Sequence, residues 1–419
     1  MTRSPVWHPF TQHGLKEPIP RIVRASGAEL WADDGTRYLD AISSWWVTTH
    51  GHCHPRITQA IAEQANKLDQ VIFAGFTHDP AEEVAAGLIE LFPAPLSHVF
   101  FSDSGSTSVE VALKMALGFW ANRGETRSRI AVMEHSYHGD TIGGMSVGAR
   151  GVFNQAYQPL LFDVATLPFP AAGAQQATLD ALEVQCKGSD PLAALIVEPL
   201  LLGAGGMLIY DTATLAAMRE ICARYDVLFI ADEVMTGWGR TGTLTACEQA
   251  DVVPDIMCLS KGITGGSVPL AVTLATPAIF DAHWSTDKAK MFFHSSSYTA
   301  NPIACAAAAA NLAIWREEPV RERIADLTRR QAKQLARLAD LPGVHGARQI
   351  GTITALEIGN SQGAYLSDLG PRLAALFRSR GMLLRPLGNT VYVMPPYCVT
   401  DDQLDEVYAA IEAGLGLLD

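Results

Sequence analysis

The stretch VLFIADEV, residues 227–234, is five apolar residues closed by Asp232 and Glu233. A short run of this kind, with β-branched and aromatic members and no helical spacing, reads as a strand buried on both faces. A helical pattern from Leu215 to Tyr225 precedes it. Beyond it a second apolar run, Ile256 to Leu259, ends in Ser260-Lys261-Gly262. Upstream, Val99-Phe100-Phe101, Ile130 to Met133 and Leu192 to Val197 have the same texture. The first of them leads into a helix whose Val109, Ala112, Leu113, Ala116, Leu117 and Trp120 are predicted to share a face. Apolar strands alternating with helices predict an α/β fold around a mainly parallel sheet covered on both sides.

Past Glu317 the texture changes. A charged amphipathic helix from Val320 to Leu341 is followed by alternating residues at Thr352 to Leu356, a helix near Leu373-Phe377, a strand from Thr390 to Met394 and a last helix from Asp402. This predicts a smaller α+β domain, against which the strands and turns of the first fifty or so residues could pack. The expected division is 1–52 with 317–419 for the smaller domain and 53–316 for the larger.

With 419 residues, 48% hydrophobic and 18% charged, the chain has material for a large core, and disorder is not expected. A net charge of −13 without a basic run disfavours nucleic acid as a partner. The N-terminal MTRSPVWHPFTQHG lacks the apolar segment of a signal peptide. The longest candidate span, Ala304 to Trp315, is alanine-rich, too short for a bilayer and broken by Asn311. Seven scattered cysteines without a C-x-x-C pair complete the expectation of a soluble, reduced, cytoplasmic protein with no membrane partner.

Four features carry chemistry. Lys261 leaves a buried run, where an ammonium loses hydration; a lysine so desolvated has a lowered pKa and can condense with an aldehyde. Asp232, at the end of another buried run, needs a hydrogen-bond donor or a cation, and a protonated heterocyclic nitrogen is one; either it or Glu233 can also cap a helix. Ser104-Gly105-Ser106-Thr107, between a strand and its helix, is suited to a phosphate, although an ordinary cap uses the same residues. Tyr137 and His138 follow the second strand, where an aromatic ring can stack on a planar ligand. Each has a plainer reading as a strand end, cap or loop residue. Together, in this order, they are what pyridoxal 5′-phosphate requires.

Two other patterns carry less. Gly144 to Gly148 matches G-x-S-x-G around Ser146, but the polar HGDTIG before it is no elbow strand. His50, His52, Cys53 and His54 resemble a metal cluster without ligands from a second segment, His135 and His138 being available only in principle, so no metal is expected.

At these residues the sequence resembles the class III aminotransferases, fold type I enzymes that use pyridoxal phosphate. LFIADEVMTGWGRTG and DIMCLSKGITGG are similar to that family's signature segments, and the likeness runs from the N-terminus to the last helix. WHPFTQ, SSWW, SDSGSTSVEVALKMA, YHGDTIGGMSVG, FFHSSSYTANP and RPLGNTVYVMPPY are most similar to the branch that forms 7,8-diaminononanoate from 8-amino-7-oxononanoate in biotin synthesis. The resemblance implies a seven-stranded sheet, a smaller domain built from both termini, and a homodimer with shared active sites. It also implies roles. Lys261 carries the cofactor, Asp232 holds the pyridine nitrogen protonated, and Tyr137 stacks on the ring beside His138. Ser104, Gly105 and Ser106 bind the phosphate, joined by Ser297 from the neighbouring subunit. Arg385 grips the substrate carboxylate, and Trp45, Trp46, Phe10 and Tyr392 line the substrate channel. Glu198 and Arg240 have weaker claims, Glu198 as a cap of the following turn and Arg240 as a structural residue.

The implied amino donor is S-adenosylmethionine. Phe10 stands where users of that donor commonly have tyrosine, and Ser295-Ser296-Ser297-Tyr298 replaces their Gly-Pro-Thr-Phe. Lysine as donor, or a broader ω-amino acid or amine:pyruvate activity, are therefore the alternatives within the same scaffold. A decarboxylase or aminomutase on the same cofactor and a serine hydrolase at Ser146 are the more distant ones.

Overall fold

The computed structural model describes residues 4–359 and 368–418. Its centre is a seven-stranded sheet in the order His98–Ser102, Ala271–Ala275, Ile256–Leu259, Leu228–Asp232, Leu192–Val197, Arg129–Met133, Ala165–Leu167. Ala271–Ala275 runs antiparallel to both of its neighbours, and the remaining pairs are parallel. The central strands Leu192–Val197, Leu228–Asp232 and Ile256–Leu259 are buried at every position. That is why they read as unbroken apolar runs rather than as an alternation.

The five strands read from the sequence are all present. The other two, ATL at 165–167 and AVTLA at 271–275, are short and poor in large apolar residues, so pattern alone does not mark them. The helix Gly105–Asn122 buries Val109, Ala112, Leu113, Ala116 and Trp120, and Trp120 Nε1 donates to Ala193 O at 2.9 Å. Leu117, placed on the same face by the sequence, is instead 37% exposed. It lies one residue past Ala116, a turn of about 100° around the axis, and falls off the edge of the buried arc.

The two ends of the chain meet in a four-stranded sheet. Ile22–Ser26, Glu29–Ala32 and Arg37–Asp40 are joined by Met382–Leu383, which pairs in parallel with Leu39 and Asp40. A three-stranded antiparallel sheet, Val344–Ile350, Ile353–Ile358 and Thr390–Val393, is covered by the helix Val320–Ala339, while Tyr408 of the helix Asp401–Gly414 reaches Thr354. One apolar cluster runs through Leu259, Met235 and Trp46 to Tyr392, Leu335 and Tyr408, so the sheet's carboxyl edge and the terminal segments share a core.

Arg240 secures that junction. Its buried guanidinium donates to Thr48 O at 2.9 Å and to Pro395 O at 3.2 Å, while its own carbonyl accepts from Thr352 N. Burial pulls its pKa down, and no carboxylate pairs with it among the described residues. Among the described residues no helix is long and apolar enough to cross a membrane.

Candidate active site

Parallel pairing puts the strands' carboxyl ends along one edge, and the residues singled out above leave from that edge. Asp232 is in register with Cys258, three residues before Lys261. Tyr137 and His138 follow the Arg129–Met133 strand, and Ser104 follows His98–Ser102. All of them, with Gly105, Ser106 and Glu198, line one small cavity.

Asp232 and Glu233 divide the two tasks left open by the sequence. Strand alternation sends them to opposite faces. Glu233 is buried and accepts from Ala246 N at 3.0 Å, Cys247 N at 2.8 Å and the Thr236 hydroxyl, closing the start of the Ala246–Gln249 helix. Asp232 faces the cavity. Its Oδ1 accepts from Val234 N at 3.1 Å and its Oδ2 lies 2.7 Å from His138 Nδ1. Because an ionised carboxylate only accepts, His138 Nδ1 carries the proton. Its Nε2 is buried and has no partner among the described residues.

Lys261 projects from a turn in which its own φ is +47°, a left-handed conformation that costs a non-glycine residue about 1–3 kcal/mol. Its Nζ stands 5.1 Å from the Trp46 ring. Burial lowers its pKa to about 8, against the opposing pull of Asp232 and Glu198. At neutral pH and above, a useful share of this amine is therefore unprotonated.

Ser104 Oγ accepts from Thr107 N at 3.2 Å and Thr107 Oγ1 accepts from Ser104 N at 2.9 Å, a reciprocal cap. The serine oxygen thus caps the helix, and the residue still lines the cavity. The N–H groups of Gly105 and Ser106 have no acceptor within the helix and sit at its positive end. A Cβ on Gly105 would stand 2.5 Å from Val234 Cγ1, so any larger residue would have to displace that side chain. Ser106 Oγ accepts from Asp140 N at 3.2 Å and keeps its own proton for an anion. Gly139, with φ +109°, allows that approach; a Cβ there would lie 2.0 Å from Ser106 Oγ.

Glu198 carries more than its sequence suggested. Its Oε2 does accept from the following turn, at Gly203 N (3.0 Å), but its Oε1 also accepts from Tyr137 N at 2.9 Å. One carboxyl thereby ties the aromatic loop to the turn after its own strand. Burial pushes its pKa up to about 7, with His138 opposing and Asp232 adding to the rise. An acid whose pKa is higher folded than unfolded stabilises the fold below the unfolded value, and that contribution fades as pH rises toward the folded value. Between about pH 4.5 and 7 this carboxyl should thus withdraw about 2–3 kcal/mol of stability. Chemical denaturation of the parent and of Glu198→Gln at pH 5 and pH 8 checks it. The variant should gain on the parent as pH rises, and parallel profiles would contradict the assignment.

A second, larger cavity of about 660 Å³, within the range of small-molecule sites, adjoins the first; Trp46, Tyr137 and Gly139 line both. Trp46 is buried, its Nε1 donating to Tyr392 OH at 2.9 Å. At the outer end the Arg385 guanidinium lies 4.4 Å from the Trp45 ring and 5.4 Å from the Phe10 ring. Phe10 and Trp45, 53% and 39% exposed, pack edge-on at 5.6 Å. The paired tryptophans are displayed by a kinked segment with positive φ at Ser43, Ser44 and Trp46. Buried Asp40 holds it, accepting from Ile42 N at 3.2 Å and Ser44 N at 2.6 Å. Nothing in the sequence pattern marks Asp40 for this.

Ser297 is exposed and is not among the residues lining either cavity of its own chain; its carbonyl accepts from Gln70 Nε2. The two patterns set aside earlier have structural uses. Ser146 Oγ donates to Ile142 O at 2.7 Å within its own short helix. His50, His52 and His54 turn to different partners: Asn311, Asp40 and Glu318.

The inner cavity offers a ring nitrogen with no partner among the described residues, an enclosed amine, a strand-end carboxylate and a helix start closely packed at Gly105. This donor set fits pyridoxal phosphate. The family model for class-III aminotransferases matches residues 11–415, and the chain belongs to that family, whose members depend on pyridoxal phosphate. It is an aminotransferase.

The chain is similar to the adenosylmethionine-8-amino-7-oxononanoate aminotransferase of Synechococcus elongatus, 45% identical over 97% of each chain. It is also similar to that of Nitratidesulfovibrio vulgaris, 40% identical over 98% of this chain and 80% of the relative. Among solved structures, the enzyme of the same name from Methanocaldococcus jannaschii superposes with a TM-score of 0.94 at 32% identity, covering 98% of this chain and 97% of that one. An amine transaminase from an uncultivated Pseudomonas species, solved with PLP bound, gives 0.93 at 32% identity over 99% of both.

Proposed function

We propose that this protein transfers an amino group to 8-amino-7-oxononanoate, giving 7,8-diaminononanoate for biotin synthesis, with S-adenosylmethionine as donor. The observation that carries the proposal is the two-part cavity. An enclosed lysine lies at its inner end, and a guanidinium packed beside two aromatic rings lies at the outer end of a mostly apolar channel. The acceptor has the matching form, with a carboxylate separated by an apolar chain from the carbon that gains the amine.

Pyridoxal phosphate, when bound, supplies an electron sink for the carbon from which a proton is removed. The Gly105 and Ser106 N–H groups and the Ser106 hydroxyl would hold its phosphate, joined in a homodimer by Ser297 of the partner subunit. Tyr137 would stack on the ring; its phenol is kept protonated because burial, then Asp140, raises its pKa. Asp232, oriented by His138 Nδ1–H, would supply the negative charge that keeps the pyridine nitrogen protonated. Lys261 Nζ, once free, takes the proton from the donor's carbon and returns it on the other side of the transfer, which a pKa of about 8 permits near neutral pH. Trp46 and Met235 keep bulk water from this end. Arg385 orients the carboxylate of the acceptor.

Replacing Arg385 with Ala should raise KM for the acceptor roughly ten- to a hundredfold, the worth of a hydrogen bond to a charged group, with a smaller change in kcat. Steady-state kinetics with the acid and its methyl ester check this: the ester should lose its disadvantage in the variant. A donor panel of S-adenosylmethionine, lysine and alanine, read by loss of the cofactor's visible band, tests the pathway assignment. If S-adenosylmethionine and lysine both fail while simple amines react, the broader amine transaminase reading replaces it. That reading draws on the likeness to the Pseudomonas amine transaminase.

A further inference from the structure

The helix Pro302–Glu317 contains PIACAAAAANLAIWRE, an apolar and alanine-rich face interrupted by one amide, Asn311, which is wholly buried. A buried amide must find partners for its oxygen and both N–H groups. Asn311 Nδ2 donates to Gly262 O at 3.1 Å and to Ile263 O at 3.0 Å, the two carbonyls directly after Lys261. Those carbonyls settle which way the amide faces, so Oδ1 is turned to His50, whose Nε2 lies 2.8 Å away and must carry the proton. Burial pulls the His50 pKa down to about 4; Asn311 and Glu318 oppose, while His54 and Arg323 add to the fall, and the ring is neutral.

The same turn is gripped from the other side. Thr49 N donates to Gly265 O at 3.3 Å. A Cβ on Gly266 (φ +88°) would stand 2.6 Å from the Val47 carbonyl carbon, and one on Gly265 would meet Ile57 Cδ1 at 2.6 Å. The segment from Trp46 to His50 therefore packs directly on the turn that starts at Lys261. Since Lys261 holds a left-handed φ, the turn needs restraint that its own sequence does not provide.

We propose that Asn311, oriented by His50, is a positioning residue for the amino-transfer reaction: it fixes the turn after Lys261 and with it the direction in which the amine enters the cavity. This rests on the reading of Lys261 as the cofactor lysine. Asn311 and His50, neither of which lines either cavity, thus act on the chemistry without touching cofactor or substrate.

The test uses the full chain reconstituted with pyridoxal phosphate. Asn311→Asp keeps the size of the side chain and the acceptor but removes both donors; Asn311→Ala removes all three groups. Each should lower kcat about tenfold or more, leave KM for the acceptor within about twofold, and move the pH midpoint of the cofactor's visible band by about half a unit or more. His50→Gln, which still offers an N–H to the amide oxygen, should recover most of what His50→Ala loses, and this pair decides the matter if the Asn311 variants do not fold. Parent-like kcat and midpoint in the variants would overturn the inference. So would a loss of kcat with an unmoved midpoint, or equal losses in His50→Gln and His50→Ala, because these mark general destabilisation. If the parent shows no visible band that disappears in Lys261→Ala, the reading of the site fails instead, and the two failures are told apart.

Discussion

Lys261→Ala should lower turnover by at least about a thousandfold, because under the proposed function a single substitution removes both the anchor of the cofactor and the base that moves the substrate proton. The chain has other lysines, but they lie outside the inner cavity; Lys114, for example, reaches Phe293 O at its exposed surface. None can replace an amine whose pKa is brought to about 8 by its enclosure. The variant should still fold. Removing a partly desolvated ammonium relieves a burial cost, and the turn keeps its grip through Asn311 and Thr49. Turnover assays together with the visible spectrum check the prediction. Activity and a lysine-type absorbance band that both persist would contradict it.

Asp232→Asn is the second large effect. The change keeps the shape of the side chain and an oxygen for the Val234 N–H, and removes one charge from a cavity where little water can compensate. A preorganised charge in such a site is worth about 3–4 kcal/mol, so kcat should fall roughly two to three orders of magnitude while the melting temperature changes little. Part of the effect should be visible away from the reaction. Asp232 helps to raise the pKa of Glu198, so its neutralisation should lower the pH at which Glu198 titrates. Kinetics and a carboxyl titration by infrared difference spectroscopy measure the two together. A variant with near-parent kcat would mean that the carboxylate does not serve the cofactor.

The parts legible from sequence are those written locally. Buried strands announce themselves as apolar runs, and a charged residue at the end of such a run stands out, which is how Asp232 and Lys261 are found. They converge because the strands are parallel and adjacent, and the strand–helix alternation already implied that arrangement. The short strands at 165–167 and 271–275 escape because each depends on neighbours more than on its own residues. The division of labour between Asp232 and Glu233 could not be read, since it is set by the Ala246 and Cys247 N–H groups of a later helix. The His138–Asp232 pair, the double grip of Glu198 and the Asp40 support under the tryptophans are contacts between distant segments, with no local signature. Arg385, Phe10 and Tyr392 entered through family likeness alone, and the structure places them around one channel. Asn311 looked like an interruption of an apolar helix; its meaning is supplied by the turn it faces.

The most direct measurement is chemical. The protein reconstituted with pyridoxal phosphate is reduced with borohydride and digested, and its peptides are weighed by mass spectrometry. The expected result is a phosphopyridoxyl group on Lys261 and on no other lysine. Label on a different lysine, or none after reduction, would contradict the site described here.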